Sequence, residues 1–240
     1  MALTGSAALL LLADGRFPAG GHAHSGGIEE AVASGRVGDL ASLHAFLAGR
    51  LWTVGLVAAA FSATGARFAL ETARSADQNG RGGEGWVALD AEAEARMASP
   101  ALRRASRRLG RQLLRVARGV WPGPLLDGLA AAVPAGPHHP VALGAAAAAA
   151  GLPAGDAALA AAQESVAGPA TAALRLLGLD PVAVAAVLAR LAPQVEAVAA
   201  EAAACASARR PWSELPAVAA PLLELGAELH AAQEVRLFAS

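Results

Sequence analysis

Six histidines, His22, His24, His44, His138, His139 and His230, are the side chains that could ligate a metal or exchange protons near neutral pH. None has the H-E-x-x-H spacing of a zinc hydrolase. His22 and His24 flank a single residue in a glycine-rich loop and could put two imidazoles on one ion, a weak site without a third ligand. His138-His139-Pro140 reads as a helix start, where the helix dipole disfavours a cation, so neutral imidazoles are expected there. His44, between Leu43 and Phe46, reads as packing or partly exposed, and Cys205, among alanines, as a small buried apolar residue. Glu29-Glu30 and the series Asp90, Glu92, Glu94 read as solvated helix faces and first-turn acids. There is no Gly-x-Ser-x-Gly elbow. All 19 basic residues are arginine, which excludes a phosphate-loop lysine, a Schiff base and a lysine general base. No catalytic constellation is visible.

Two other patterns point to binding. Between Ser99-Pro100 and Arg118, at about 100° per residue, Leu102, Ala105, Ser106, Leu109, Leu113 and Val116 share one arc. Arg103, Arg104, Arg107, Arg108, Arg111, Arg115 and Arg118 fill the opposite arc. This stripe reads as a solvated face, a docking surface for an acidic protein, or a nucleic-acid patch, the last with little aromatic interleaving to hold bases. The end of the chain, residues 233–240, carries Arg236-Leu237-Phe238. It is an amphipathic hook with two apolar side chains to bury and one guanidinium for bidentate pairing, on a partner or on its own bundle.

Helices must position these residues. The 240 residues include 68 alanines, five threonines, one isoleucine and no tyrosine, which favours helix over strand. Net charge is -1, so any nucleic-acid or membrane-surface contact would need a local patch. The lone cysteine excludes an intramolecular disulfide. Mean hydropathy is +0.43, but alanine and glycine inflate it, and no membrane span or signal peptide is expected. Caps and breakers predict helices over about 3–12, from Ser25 to Ala33, from Asp39 to about Arg74 with an interruption near Gly55 or Ser62, and from Ser99 to Arg118. Further helices are expected at about 139–151, 156–178, 181–208 with a bend at Pro193, and 217–232. Asp77 to Gly85 reads as a mobile surface loop. The predicted architecture is an all-α, single-domain bundle of about eight to ten helices spanning residues 1–240.

Several ordered segments resemble the urease accessory protein UreF family. They are Leu9 to Leu12, Phe17-Pro18-Ala19-Gly20-Gly21, Ser25-Gly26-Gly27-Ile28-Glu29, Ser106 and Gly110, His139 to Gly144, Arg175-Leu176, and an ending with Pro221, His230 and Arg236-Leu237-Phe238-Ala239-Ser240. The chain departs from that pattern at His22-Ala23-His24, where aromatic or hydroxyl residues are usual, and at Gly178 to Pro181, where a glutamine is missing. The resemblance implies a cytoplasmic all-α homodimer without catalysis, which joins UreD (also called UreH) and the GTPase UreG to deliver nickel to apo-urease. It implies partner contacts at His230, Arg236, Leu237, Phe238 and Ser240, with Gly20, Gly21, Ser25 and Glu29 near the partner or dimer surface. Arg104, Arg108, Arg111 and Arg115 become candidates for an acidic face of UreG, and His22 and His24 for transient nickel, with no cofactor held tightly and neither nucleic acid nor membrane engaged. The alternatives are a helical ligand- or nucleic-acid-binding regulator and a helical metal-dependent hydrolase. The first calls for a polar base-reading helix, which Ile28 to Ala33 does not supply; the second requires three convergent ligands.

Overall fold

The computed structural model describes residues 6–15, 17–18, 20, 24–74, 81–208, 211–233 and 237–238. Helix α1 spans Ser6–Ala13 and α2 Ile28–Ala33. Helix α3, Leu40–Arg50, continues through a π turn, Leu51–Gly55, into α4, Leu56–Arg74. Then follow α5 (Arg81–Ala95), α6 (Pro100–Val120), α7 (Pro124–Ala132), α8 (His139–Ala149), α9 (Ala154–Leu177), α10 (Pro181–Ser207) and α11 (Pro221–Ala231). Of the described residues 78% are helical, and none forms a strand.

The starts with clear caps fall where the sequence puts them. Asp39 accepts the Ser42 N–H at 2.8 Å in a capping box. Ser99 accepts from Leu102 ahead of Pro100, and Asp180 accepts from Val182 and Ala183 ahead of Pro181. A cap reads only its next few residues, so local sequence suffices. Ser25 is different: Gly27, at φ +89°, is the N-cap of α2, and the buried Ser25 hydroxyl has no hydrogen-bond partner among the described residues. The interruption expected near Gly55 is the π turn, which inserts a residue without ending the rod.

Helices α4 and α8 cross at the centre, with α9 and α10 against α4. The α4–α8 crossing is a backbone contact. A Cβ on Gly144 would stand 2.3 Å from the Ser62 carbonyl oxygen, and the Ser62 hydroxyl donates to the Pro140 carbonyl at 3.0 Å. One buried cluster joins residues from α1 through α10 with Leu215 and Phe238, and no α11 residue belongs to it.

Four expectations need correction. Residues 81–85 are helical rather than loop, while 77–80 lie outside the described residues. Burial of Trp86 and Leu89, with Phe68 edge-on to Trp86 at 4.8 Å, outweighs a helix cost of about 1 kcal/mol per glycine. Helix α7, Pro124–Ala132, lies where no helix is predicted, between the expected end at Arg118 and the next expected start at about 139. Helix α6 buries Ala101, Ala105, Gly110, Leu113, Leu114 and Ala117, an arc rotated from the predicted one. The cause is Gly110, which faces the strand of chain entering α8: a Cβ there would be 1.9 Å from the Pro137 carbonyl oxygen. Finally, Leu40–Arg74 and Pro181–Ser207 are long and apolar enough, by length and composition, to cross a membrane. The first is the rod around which α8, α9 and α10 pack.

Candidate functional site

Helix α11 is held to the body by its polar side. Glu224 accepts from the Ser99 amide, and Glu228 accepts from the Ser99 hydroxyl and from the Ala101 amide at 2.8 Å. Two carboxylates thus meet the free N–H groups at the start of α6, where the helix dipole favours negative charge. These hydrogen bonds hold the Glu228 carboxyl below its ordinary pKa. One turn on, Gly226 lies against Glu30, which pairs with Arg36. His230 is buried against Glu29.

Glu29 is the junction between this helix and the end of the chain. Its carboxylate, 8% exposed as a residue, accepts from His230 Nε2 at 2.7 Å, from the Leu237 amide at 2.7 Å and from the Phe238 amide at 3.1 Å. An ionised carboxylate has no proton to offer, so the contact selects the imidazole tautomer protonated on Nε2. His230 Nδ1 is then a lone pair without a donor among the described residues. Phe238 is buried under this clasp while Leu237 is 76% exposed. The reading of Glu29-Glu30 as a solvated face is therefore overturned: both acids are buried because their donors come from α11, from Arg36 and from the tail.

The opposite face of α11 is apolar and uncovered. Leu222, Leu225 and Leu229 are 63%, 63% and 61% exposed, and their i, i+3, i+7 spacing puts them on one stripe. Sequence reading missed them as a site. The signal was present, since the period is plain, but a period cannot say which face is inside.

The arginine helix divides between internal and external work. Arg107 pairs with the buried Asp90 at 2.9 Å and with Glu94, and donates to the Gly136 carbonyl at 2.8 Å. Asp90 also accepts the His138 amide at 2.6 Å, so Asp90 is not the solvated acid expected, while Glu94 keeps an exposed side chain as expected. Arg103 donates to the Met97 and Ala98 carbonyls, and Arg118 pairs with Asp127. Arg104, Arg108, Arg111 and Arg115 are exposed. Arg111 donates to the Ala135 carbonyl, and Arg104 and Arg108 line a groove of about 460 Å³ with Arg107, Arg111 and Ala231. Gly20 packs against Gln112 of the same helix, and Phe17 stacks on Trp121 at 5.9 Å.

Of the other candidates, Gly21, His22, Arg236 and Ser240 lie outside the described residues. Ser25 is buried behind α2, His44 is half-buried, and Cys205 is half-buried rather than fully packed. His24 is half-buried, close enough for its charge to act on His139. Among the described residues no group of three or more His, Cys, Asp or Glu could hold a metal ion.

The helix-start histidines are held towards the neutral form, chiefly by burial. His138 is lowered, and His139 is pushed down to about 4. His139 Nε2 lies 3.8 Å from Glu164 Oε2, and burial pushes that carboxyl up to about 8. The two pH effects have opposite signs. The unfolded chain protonates His139 first, so stability is lost as pH falls from 6.5 to about 4. The folded chain keeps the Glu164 proton longer, so stability is lost as pH rises from 4.5 to about 8. His139→Gln is expected to flatten the acid limb of a melting-temperature profile and Glu164→Gln the alkaline limb. Unchanged limbs would show that neither group titrates with folding.

The family model described as UreF matches residues 37–192. The chain is 47% identical over 234 residues to the urease accessory protein UreF of Mycolicibacterium vanbaalenii, with 98% of each chain covered. It is 46% identical over 233 residues to that of Mycobacterium sp. (strain JLS), with 97% of each covered. It is 39% identical over 238 residues to that of Mycobacterium tuberculosis H37Rv, covering 99% of this chain and 100% of the relative. The chain belongs to the UreF family of urease accessory proteins.

Proposed function

We propose that the chain is a scaffold without chemistry of its own, acting in the cytoplasm as a homodimer during nickel delivery to apo-urease. Its leucine face on α11, with the clasped tail beside it, docks UreD/UreH. The observation that carries this reading is the orientation of α11. A helix tied down through Glu224, Glu228 and His230 with three leucines facing outward has the polarity of an interface half, since a free helix would bury its apolar stripe. Leu237 extends the uncovered apolar surface onto the tail.

The outward arginines Arg104, Arg108, Arg111 and Arg115 are the surface for an acidic face of the GTPase UreG, where complementary charge speeds encounter and fixes register. Self-association is assigned to the outer face of α10, where Val182, Ala185, Ala186 and Ala189 are exposed. Nickel is cargo in this reading, and His24 beside His139 is the described end of its candidate contacts.

Size-exclusion chromatography with light scattering on the chain mixed with its cognate UreD/UreH tests the docking face. The intact chain should form a stable complex. Leu225→Glu/Leu229→Glu should lose it by at least about a hundredfold in affinity, as expected when charges replace anchors at the centre of an interface. A chain ending at Val235 should lose it as well. Full binding by both variants would remove this reading, and the same chromatograms of the chain alone report its oligomeric state.

A further inference from the structure

Between α3 and the start of α11 lies a groove of about 390 Å³, lined by Val37, Phe46, Leu222 and Leu223 and by two guanidinium groups, Arg36 and Arg50. The two arginines differ. Arg36 is matched by Glu30. Arg50 donates through Nε to the Ser165 carbonyl at 3.0 Å, and no carboxylate pairs with it among the described residues. Burial lowers its pKa to about 10, with no neighbouring charge offsetting it. Arg50 is half-buried at the groove wall, and a partly desolvated guanidinium without an anion is costly to keep. Gly26, at φ +61°, makes the room: a Cβ there would stand 3.3 Å from the Arg50 guanidinium and 2.8 Å from Pro169.

We infer that this groove is a recognition site for a carboxylate-bearing apolar segment of a protein partner, an acidic side chain pairing with Arg50 while its apolar neighbours fill the space beside Phe46 and Leu223. Charge complementarity selects the acid, because an arginine fork in an apolar wall gains most from a bidentate carboxylate. Continuity selects a protein: Leu222 belongs both to this groove and to the exposed leucine stripe, so a chain lying along α11 reaches the groove. The site does not depend on which accessory protein covers the leucines.

The test uses the full chain and a phage-displayed random-peptide library. Selection on the wild type should enrich an acidic residue flanked by bulky apolar ones. The affinity of an enriched peptide, read by fluorescence anisotropy, should fall about tenfold or more in Arg50→Gln, as for loss of a charge-assisted hydrogen bond. Replacing the peptide acid by its amide should give the same loss, with no further loss when both changes are combined. Gly49→Glu leaves Arg50 in place and adds an acid in open space at the groove wall. It should compete with the peptide to a similar extent, and circular dichroism confirms that both variants fold. Enrichment without an acidic consensus, or equal affinity for Arg50→Gln, overturns the inference. So does a groove that responds to sodium octanoate by NMR while selecting no peptide, which would make it a small-carboxylate site.

Discussion

Glu29→Ala is expected to destabilise the fold by about 3–5 kcal/mol, because three neutral buried donors lose their acceptor at about 1–3 kcal/mol each and part of that is recovered as the chain end opens to water. It leaves His230 Nε2 and the amides of Leu237 and Phe238 without an acceptor. The chain end should open first, because Phe238 is drawn into the core only where its own amide is satisfied. Urea unfolding gives the stability change, and hydrogen exchange at the Leu237 and Phe238 amides gives the local one. Glu29→Gln should fall between, near 1–2 kcal/mol. One oxygen still accepts, and the imidazole can change tautomer to receive the new amide proton. Binding to UreD/UreH should weaken in parallel with tail exchange, since Glu29 is buried and acts on a partner only through the tail. Tail amides as protected in Glu29→Ala as in the wild type would show that the clasp does not hold the tail.

Gly144→Ala should cost about 3 kcal/mol, at the upper end for overpacking, and lower the melting temperature by about 6–12 °C for a chain of this size. The added methyl meets the Ser62 carbonyl oxygen at 2.3 Å and the Ala66 nitrogen at 2.8 Å. Both belong to the α4 backbone, so relief requires moving a helix rather than turning a side chain. Gly128→Ala supplies the contrast. It lies on the exposed side of α7 with nothing within 4 Å of the new Cβ, and is expected to stabilise by about 0.5–1 kcal/mol through helix propensity. Calorimetry on the pair separates a close crossing from a general sensitivity of glycine. Equal melting temperatures for Gly144→Ala and the wild type would mean that α4 and α8 do not meet this closely in solution.

The candidate site was partly legible. Glu29, His230, Leu237 and Phe238 could be singled out from the chain, but as separate members of separate segments. Glu29 looked like one of a pair of exposed acids, and its three donors lie 201, 208 and 209 residues away. No local pattern reports donors at that distance. Arg50 was not singled out at all, because its distinguishing property is the lack of a matching carboxylate among the described residues, which emerges only when its neighbours are known. The arginine stripe was legible as a stripe, yet Arg107 sits inside it and does structural work on Asp90, Glu94 and Gly136.

By itself the sequence determined the helical class, the helix starts at Asp39, Ser99 and Asp180, and the existence of apolar and basic stripes. Each of these depends on hydrogen bonds or periodicities that close within a few residues. Tertiary structure alone decided that residues 81–85 coil into α5, that α6 rotates to set Gly110 on the chain entering α8, and that α11 turns its leucines outward. The deciding contacts, Trp86 on Phe68, Gly110 on Pro137, and Glu224 and Glu228 on the start of α6, join segments whose local preferences do not mention each other. Burial of a carboxylate or exposure of a leucine is a property of what packs there, and for α11 the donors at the head of α6 bind its acids more strongly than the core competes for its leucines.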